Sequence, residues 1–544
     1  MAARAGALEN GALAERLEAF AVLLELAGAN PYGTRAYRRA AELIRSTPVP
    51  VADLVRAGRA RELTGIGPGI EARLRELVET GRLAELEELE RTVSPELVGF
   101  GRFLGLGSRR ALEIARALGV TTADEFRRAV EEGRLREAPG VGPKTEARLR
   151  EALERGPEGA ERRPLLLDRA RRLVEGLGAA LGGEPAGDVR RWRDAPEELS
   201  VVCGADAPEP VVEAFTAHPQ IVALVERMDR RAVGVTAEGV PVHLVVSEPD
   251  RYGAELIRAT GSAAYVRALG PLPAAASEQE VYGRLGIPFC PPELREEPFR
   301  GEPPPLLERA DLRGDLHCHT TWSDGRASVL EMGEAGRALG YEYLAVCDHT
   351  PNVRVVPGVD ADQLRRQGEE IAAANEELSP FRILRGIECD ILSDGTLDLP
   401  DDVLAELDWV TASVHAGQRQ PRRELTKRVG DALRHPSVRA LSHPTGRLIS
   451  HRPPNALDLE AVFGVALETG VALEVNGLPA RLDLKGEHVR LAIAAGVRIV
   501  VNTDAHSARG LENIELAVHT ARRGWATAAH VVNARPLVEL LAGR

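Results

Sequence analysis

The spacing of apolar residues changes character twice along the chain. Up to about residue 155, apolar side chains recur three and four positions apart, as in LAERLEAFAVLLELAG and AYRRAAELI, and no β-rich run interrupts them. That spacing predicts helices throughout. The stretch RGPEGAERRP (155–164) reads as a linker. Residues 165–300 then mix a helical run, LLLDRARRLVEGL, with the strand-like runs LSVVC, AVGVTA and VPVHLVV. A second linker is expected at 296–311, EEPFRGEPPPLLERAD, from its proline and charge content. Beyond Gly314 seven short apolar strands follow: GDLHCH, YLAVCDH, FRILRGIEC, WVTASVH, VRALSHP, VALEVN and VRIVVNTDAH, separated by helical stretches. Parallel strands alternating with helices predict a βα barrel.

Composition narrows the class of protein. A chain of 544 residues needs several cores, at about 100–250 residues each. It has 44% hydrophobic and 28% charged residues, as expected of globular domains. No apolar run is long enough to span a membrane, and the N-terminus lacks a signal-peptide pattern, so a cytoplasmic setting is expected. Cysteines 203, 290, 318, 347 and 389 show no CxxC spacing, which fits reduced thiols. The net charge of −13 argues against a broadly basic nucleic-acid coat. The acidic excess, however, lies outside residues 1–150, where 24 Lys+Arg meet 22 Asp+Glu.

Within that neutral N-terminal part a short pattern repeats. LTGIGPGIEARLREL (63–77) and APGVGPKTEARLREAL (138–153) are similar, and FLGLGSRRALEIARALG (103–119) is a weaker copy. Each reads as a helix end, a Gly-x-Gly hairpin and a new helix. Glycines permit positive φ and leave the first N–H groups of the next helix bare, so a phosphate can be held without side-chain charge. The candidate DNA-contacting residues are Gly65, Gly67, Gly69, Gly105, Gly107, Gly140, Gly142 and Lys144. The pattern resembles the helix-hairpin-helix motif, which grips the DNA backbone without reading sequence.

The C-terminal strands carry the strongest chemistry. Six of the seven end on metal-ligand residue types, which is where barrels place their active sites. The expected ligands are His317, His319, Asp324, His349, Glu388, His415, His443, Asp504 and His506. His317 and His319 alternate along a strand, so both side chains face the same way and can grip one ion. Cys318, Cys347 and Cys389 sit beside ligands but point away, and are read as packing residues.

These residues resemble the PHP (polymerase and histidinol phosphatase) family, whose motifs appear here as DLHCHTTWSDG, VCDH, GIE, SVH, SHP and TDAH. The resemblance covers 314–544 and implies a distorted seven-stranded barrel with up to three ions. It implies one ion on His317, His319 and Asp504, with Glu388 bridging to a second on His415 and His443. A third ion falls to Asp324, His349 and His506. Imidazole-rich ligands favour Mn, Zn or Fe over Mg. Such a site hydrolyses phosphoesters by activating water, without a side-chain nucleophile; the catalytic set expected to hold that water is His317, His319, Glu388 and Asp504.

Over nearly the whole chain, the order of hairpins, α/β middle and PHP region resembles the bacterial and archaeal X-family DNA polymerases. AGDVRR (186–191), ATGS (259–262) and VYGRLGIPFCPPELRE (281–296) carry the resemblance in the middle. The expected fold class is therefore multidomain α/β. It comprises all-α hairpin domains at 1–90 and 91–157, a degenerate polymerase-beta-like palm and thumb (α+β) at 163–300, and a PHP (β/α)7 barrel at 312–544.

The middle region departs from that family's chemistry. The family's Gly-Ser-x-Arg-Arg motif reads Gly187-Asp188-Val189-Arg190-Arg191 here, so Asp188 replaces a phosphate-touching serine. The three metal-holding aspartates fall on Glu198, Ser200 and His243. One carboxylate cannot neutralise two divalent ions. The family's lyase lysine falls on Arg73, which cannot serve as the amine nucleophile. The leading expectation is thus a DNA-binding phosphodiesterase, a 3′-to-5′ exonuclease or abasic-site endonuclease of DNA repair, with a silent polymerase site. The alternatives are a working repair polymerase with a proofreading domain, and a small-molecule phosphatase of the histidinol-phosphate type.

Overall fold

The computed structural model describes residues 10–46, 50–63, 65–156, 165–197, 199–353 and 356–542. Two compact units form, one from Met1–Arg162 with Ala207–Val246 and the other from Arg163–Asp206 with Ser247–Arg544. Packing therefore divides the expected palm segment, 163–300, between the two units rather than enclosing it in one.

The first unit begins with helices, as the apolar spacing predicts. One core gathers Leu13, Leu17, Phe20, Ile44, Leu74 and Leu77. A second gathers Phe100, Phe103, Ile114, Phe126 and Leu149. At each Gly-x-Gly the first glycine takes the left-handed backbone, with φ +107° at Gly65, +82° at Gly105 and +73° at Gly140. The second glycine, Gly67, Gly107 or Gly142, is the N-cap of the next helix, at Pro68–Thr80, Ser108–Leu118 and Pro143–Arg155 respectively. A Cβ at any of these three would meet nothing within 4 Å, so the protein's own packing does not demand glycine there.

Residues 207–246 join this unit through the second core. Strands β3 (Ala223–Met228), β4 (Arg231–Val235) and β5 (Pro241–Ser247) form an antiparallel meander. Ala223 and Val235 lie in the same apolar cluster as Phe100 and Phe126. Arg127 donates to the carbonyls of Leu224 (2.9 Å) and Val225 (3.2 Å). Helix Pro95–Phe103 approaches so closely that a Cβ on Gly99 would lie 2.5 Å from Val222 Cγ2 and 2.7 Å from the Thr236 carbonyl.

The second unit starts with helix Leu167–Leu181 and the antiparallel pair β1 (Gly183–Ala186) and β2 (Leu199–Gly204). Its larger part is a parallel sheet of β6 (Gly314–Cys318), β7 (Tyr343–Val346), β8 (Arg382–Asp390), β9 (Trp409–Ser413), β10 (Val438–Leu441), β11 (Ala472–Asn476) and β12 (Ile499–Asn502). These match the seven predicted runs, and their spatial order follows the sequence. The sheet nearly closes on itself. Asp504 donates its N–H to the His317 carbonyl at 3.0 Å, and His319 donates to the Ala505 carbonyl at 2.8 Å. Two apolar clusters, one with Tyr343, Ala345, Ala440 and Val500, the other with Leu344, Val346, Leu473 and Val501, sort alternate strand residues onto opposite faces. Both faces are covered, which is why these strands read as continuous apolar runs.

The stretch expected to be a linker at 296–311 is instead packed down. Leu307 is fully buried in the barrel's outer core and donates its N–H to the Ala526 carbonyl at 2.8 Å. Amid the prolines and charges, the Leu306-Leu307 pair supplies enough apolar surface to dock the segment.

The close approach at Gly99 gives a test of the first unit's packing. Alanine would gain about 1 kcal/mol of helix propensity, but overpacking costs about 1–3 kcal/mol. Gly99→Ala is therefore expected to lower the urea midpoint of the full chain's first transition, and Gly99→Val to lower it further.

Candidate metal centre

The nine predicted ligands gather at the C-terminal ends of the barrel strands. His317 lies within β6, where the pairing with β7 shifts register between Asp315 and Cys318, and His319 lies just beyond it. Glu388 is in β8, and His349, His415, His443 and Asp504 follow β7, β9, β10 and β12. His443 and Asp504 adopt positive φ, +25° and +55°. Non-glycine residues rarely take that backbone, and such strain concentrates at functional sites.

Glu388 is the hub. It is fully buried, and five imidazole nitrogens face its carboxylate: His349 Nδ1 and His443 Nε2 at 2.8 Å, His317 and His415 Nε2 at 3.6 Å, and His319 Nε2 at 3.8 Å. Asp504 Oδ1 lies 3.0 Å from His319 Nε2 and 3.8 Å from His317 Nε2. On the outer side, Asp324 stands 3.3 Å from His506, 3.6 Å from His349 and 3.8 Å from His319.

The chemistry of this donor set fits divalent cations. His317 Nε2, His319 Nδ1 and His443 Nδ1 are buried without hydrogen-bond partners, and His349 Nδ1 and Glu388 Oε2, though 2.8 Å apart, are not aligned to bond each other. Leaving such groups unsatisfied is costly unless something else ligates them. Many facing pairs are too far apart to hydrogen-bond, yet ligands sharing an ion at about 2.0–2.2 Å are spaced this way. Three groups can each hold an ion: His317, His319 and Asp504; His319, Asp324, His349 and His506; and His349, Glu388 and His415. The first equals the expected set. The second adds His319 to Asp324, His349 and His506, and the third has His349 where the resemblance implied His443.

Protonation also separates the imidazoles. Burial and the neighbouring His506 and His349 push His319 down to about 3, leaving the lone pair of one ring nitrogen free. Burial opposes the charging of His506, but its hydrogen bond to Asp324 and the nearby Asp504 outweigh it and lift this imidazole to about 9. Glu388 is held well below the usual carboxylate range: burial opposes this, and His415, His349 and His317 overcome it.

Residues not singled out from sequence complete the site. Glu474 in β11 is fully buried and accepts from His317 Nδ1 at 2.6 Å, from Asn502 at 3.0 Å and from the His443 N–H at 2.8 Å. The carboxylate thus fixes which His317 nitrogen faces the centre, as second-layer carboxylates do in metal sites. Asp390 serves His415 Nδ1 in the same way at 3.2 Å. Asp348 instead holds the loop after β6, through Thr320 Oγ1 (2.6 Å) and Gln367 (2.6 Å). Their signal lay in acidic residues inside apolar strands. Cys318, Cys347 and Cys389 are fully buried in apolar clusters.

The other predicted positions lie apart from this centre. Asp188 pairs with Arg191 at 2.5 Å and faces Arg193 at 3.7 Å. Ser200 is in β2 opposite Ala186. His243 is in β5 opposite Val233, in a cleft of the first unit lined also by Arg155, Glu226 and Arg231. Glu198 lies outside the described residues. Arg73 pairs with Glu85 and stacks over Phe20. Lys144 is exposed in the first turn of helix Pro143–Arg155.

A nearly closed seven-stranded parallel barrel, with imidazoles and carboxylates ringing one end, defines the PHP class of domain. Comparison with known proteins agrees. Family models match residues 8–83 as a helix-hairpin-helix domain and 103–155 as a SAM-like helix-hairpin-helix tandem. The DNA polymerase/3′-5′ exonuclease PolX of Bacillus subtilis (strain 168) is 34% identical, over 96% of this chain and 97% of its own length. A probable phosphatase of Acetivibrio thermocellus is 34% identical over 35% of this chain and 78% of its own. Another, from Thermoanaerobacter sp. (strain X514), is 29% identical over 40% of this chain and 89% of its own. The chain belongs to the PolX family, X-family DNA polymerases that carry a PHP domain.

Because Glu474 orients His317 without facing the ions itself, Glu474→Gln is expected to weaken metal retention by about 10–100-fold. Metal content after dialysis against graded chelator measures this, and an unchanged profile would exclude the role.

Proposed function

We propose that the chain is a DNA-binding, metal-dependent phosphodiesterase of DNA repair, acting as a 3′-to-5′ exonuclease, an abasic-site endonuclease or both, with an inactive polymerase site. Contrast between two sites carries the reading. The nine barrel residues converge with unpartnered donor atoms, whereas the arginines of the polymerase motif are already occupied. Arg190 is paired with Glu278 at 2.7 and 3.0 Å, and Arg191 with Asp188 and Glu296 (3.1 Å). Arginines neutralised by neighbouring acids are poor ligands for a triphosphate, and Asp188 adds a repelling charge.

Mn2+, Zn2+ or Fe bound in the barrel supplies Lewis acidity and activates water. His317, His319 and Asp504 would hold one such ion, Glu388 with His415 and His443 a second, and Asp324 with His349 and His506 the outer one. Glu474 and Asp390 keep their histidines' donor atoms aimed inward. The glycine N–H groups at the hairpins, with Lys144, grip the DNA backbone. The expected segments 1–90, 91–157, 163–300 and 312–544 remain the proposed functional modules. Among the described residues no helix is long and apolar enough to cross a membrane; a cytoplasmic setting is part of the same proposal.

Two other readings have specific support. The Bacillus subtilis relative is named a DNA polymerase as well as an exonuclease, which favours a working polymerase. The shorter relatives are named probable phosphatases, which favours phosphomonoester hydrolysis.

Incubating the purified protein with a 5′-labelled primer–template separates the three. Mn-stimulated shortening of the primer is expected, abolished in His317→Ala and Glu388→Ala while DNA binding persists in a gel-shift assay. Cleavage retained by both variants would place the chemistry elsewhere, and hydrolysis of a phosphomonoester but no oligonucleotide would favour the phosphatase reading. No nucleotide addition is expected with Mg or Mn and dNTPs. Borohydride is likewise expected to trap no adduct on a cleaved abasic site; either product would overturn this part of the proposal.

A further inference from the structure

Arg481 lies in the segment following β11, beside the ligand cluster and outside the nine-residue set. Its Nε is 3.6 Å from Asp504 Oδ2, too far for a hydrogen bond. That oxygen already accepts from Asn476 at 3.0 Å, and Oδ1 faces His319 at 3.0 Å. The Nε and Nη1 groups of Arg481 are buried and have no acceptor. Two other arginines of this unit behave differently. Arg428 spends its guanidinium on the carbonyls of Leu392, Ala416 and Ile391, and Arg447 on those of Arg481 and Leu482.

The backbone beneath Arg481 is clamped. Its N–H donates to the Leu478 carbonyl at 2.7 Å, and its own carbonyl accepts from Arg447 Nε at 2.8 Å. Leu482, fully buried at φ +43°, accepts from Arg447 as well. Arg447 is pinned in turn by Asp194, two residues after Trp192. Trp192 stacks on His519 at 3.5 Å, and Arg171 covers it at 3.5 Å. A guanidinium with unpaired donors, on a fixed backbone at the edge of a cationic centre, is preorganised for an oxyanion.

We propose that Arg481 binds a non-bridging oxygen of the scissile phosphate, and that Asp194 and Arg447 act as positioning residues that hold it there. The proposal rests on the reading of the barrel as a metal-dependent phosphoesterase. It adds a substrate-contacting group outside the metal-ligand set.

Inorganic phosphate is the probe, titrated calorimetrically into the full-length Mn-loaded protein. Arg481→Ala is expected to weaken phosphate binding at least 10-fold with metal content unchanged, and Arg481→Lys to weaken it less. Asp194→Asn should give an intermediate loss. In oligonucleotide cleavage, added guanidinium ion should restore part of the rate of Arg481→Ala, a rescue that a merely structural role would not show. Phosphate binding within twofold of wild type in Arg481→Ala would overturn the proposal, as would wild-type protein that binds no phosphate. A fall in metal content matching the loss would also overturn it, making Arg481 a support for Asp504. If Arg481→Ala does not fold, Arg481→Lys carries the same comparison. Should the wild type cleave no phosphoester, the functional reading fails, and the phosphate isotherms still decide the role of Arg481.

Discussion

A single buried carboxylate organises the C-terminal unit. Glu388 is almost wholly buried, and five imidazoles turn toward it from four different strand ends. Burying an anion is unfavourable unless positive charge surrounds it, and burying the histidines is unfavourable unless they stay neutral or find an anion. The two requirements meet only when the strands bring their ends to one point. Barrel closure between β6 and the end of β12 is therefore tied to the polar centre as closely as to the apolar layers. The imidazoles answer this differently: burial and the nearby His506 and His349 push His319 down to about 3, while His506 is lifted to about 9.

The sequence carried the barrel and its ligands in unusually plain form. All seven strands were readable because burial on both faces makes each a short run of apolar residues, and ligand types stand out at their ends. The hairpins were readable because left-handed turns demand glycine. Other features depend on tertiary contacts that no local pattern encodes. β1 contains glycine and proline, and β3 carries exposed charges, so neither looks like a strand alone. Residues 207–246 join the N-terminal unit because Ala223 and Val235 complete a helical core, which spacing along the chain cannot reveal. Glu474 passed as one more residue of an apolar run, since its importance appears only when β11 and β6 are brought into one sheet.

The middle of the chain shows how one set of charged residues can be stable in two very different uses. In a nucleotide site, paired arginines must remain available. Here Glu278 lies between Arg190 and Arg295, the latter wholly buried, and accepts from both. Such an arrangement favours a fixed local structure over exchange with a ligand, because breaking it strands a buried charge.

The link from Asp194 through Arg447 to the backbone of Arg481 and Leu482 carries a consequence for how this chain can evolve. The segment Gly187–Asp194 is not free to drift, because through Asp194 it holds part of the wall of the neighbouring barrel. Change in this stretch is therefore limited by what the barrel needs as well as by what the motif itself does.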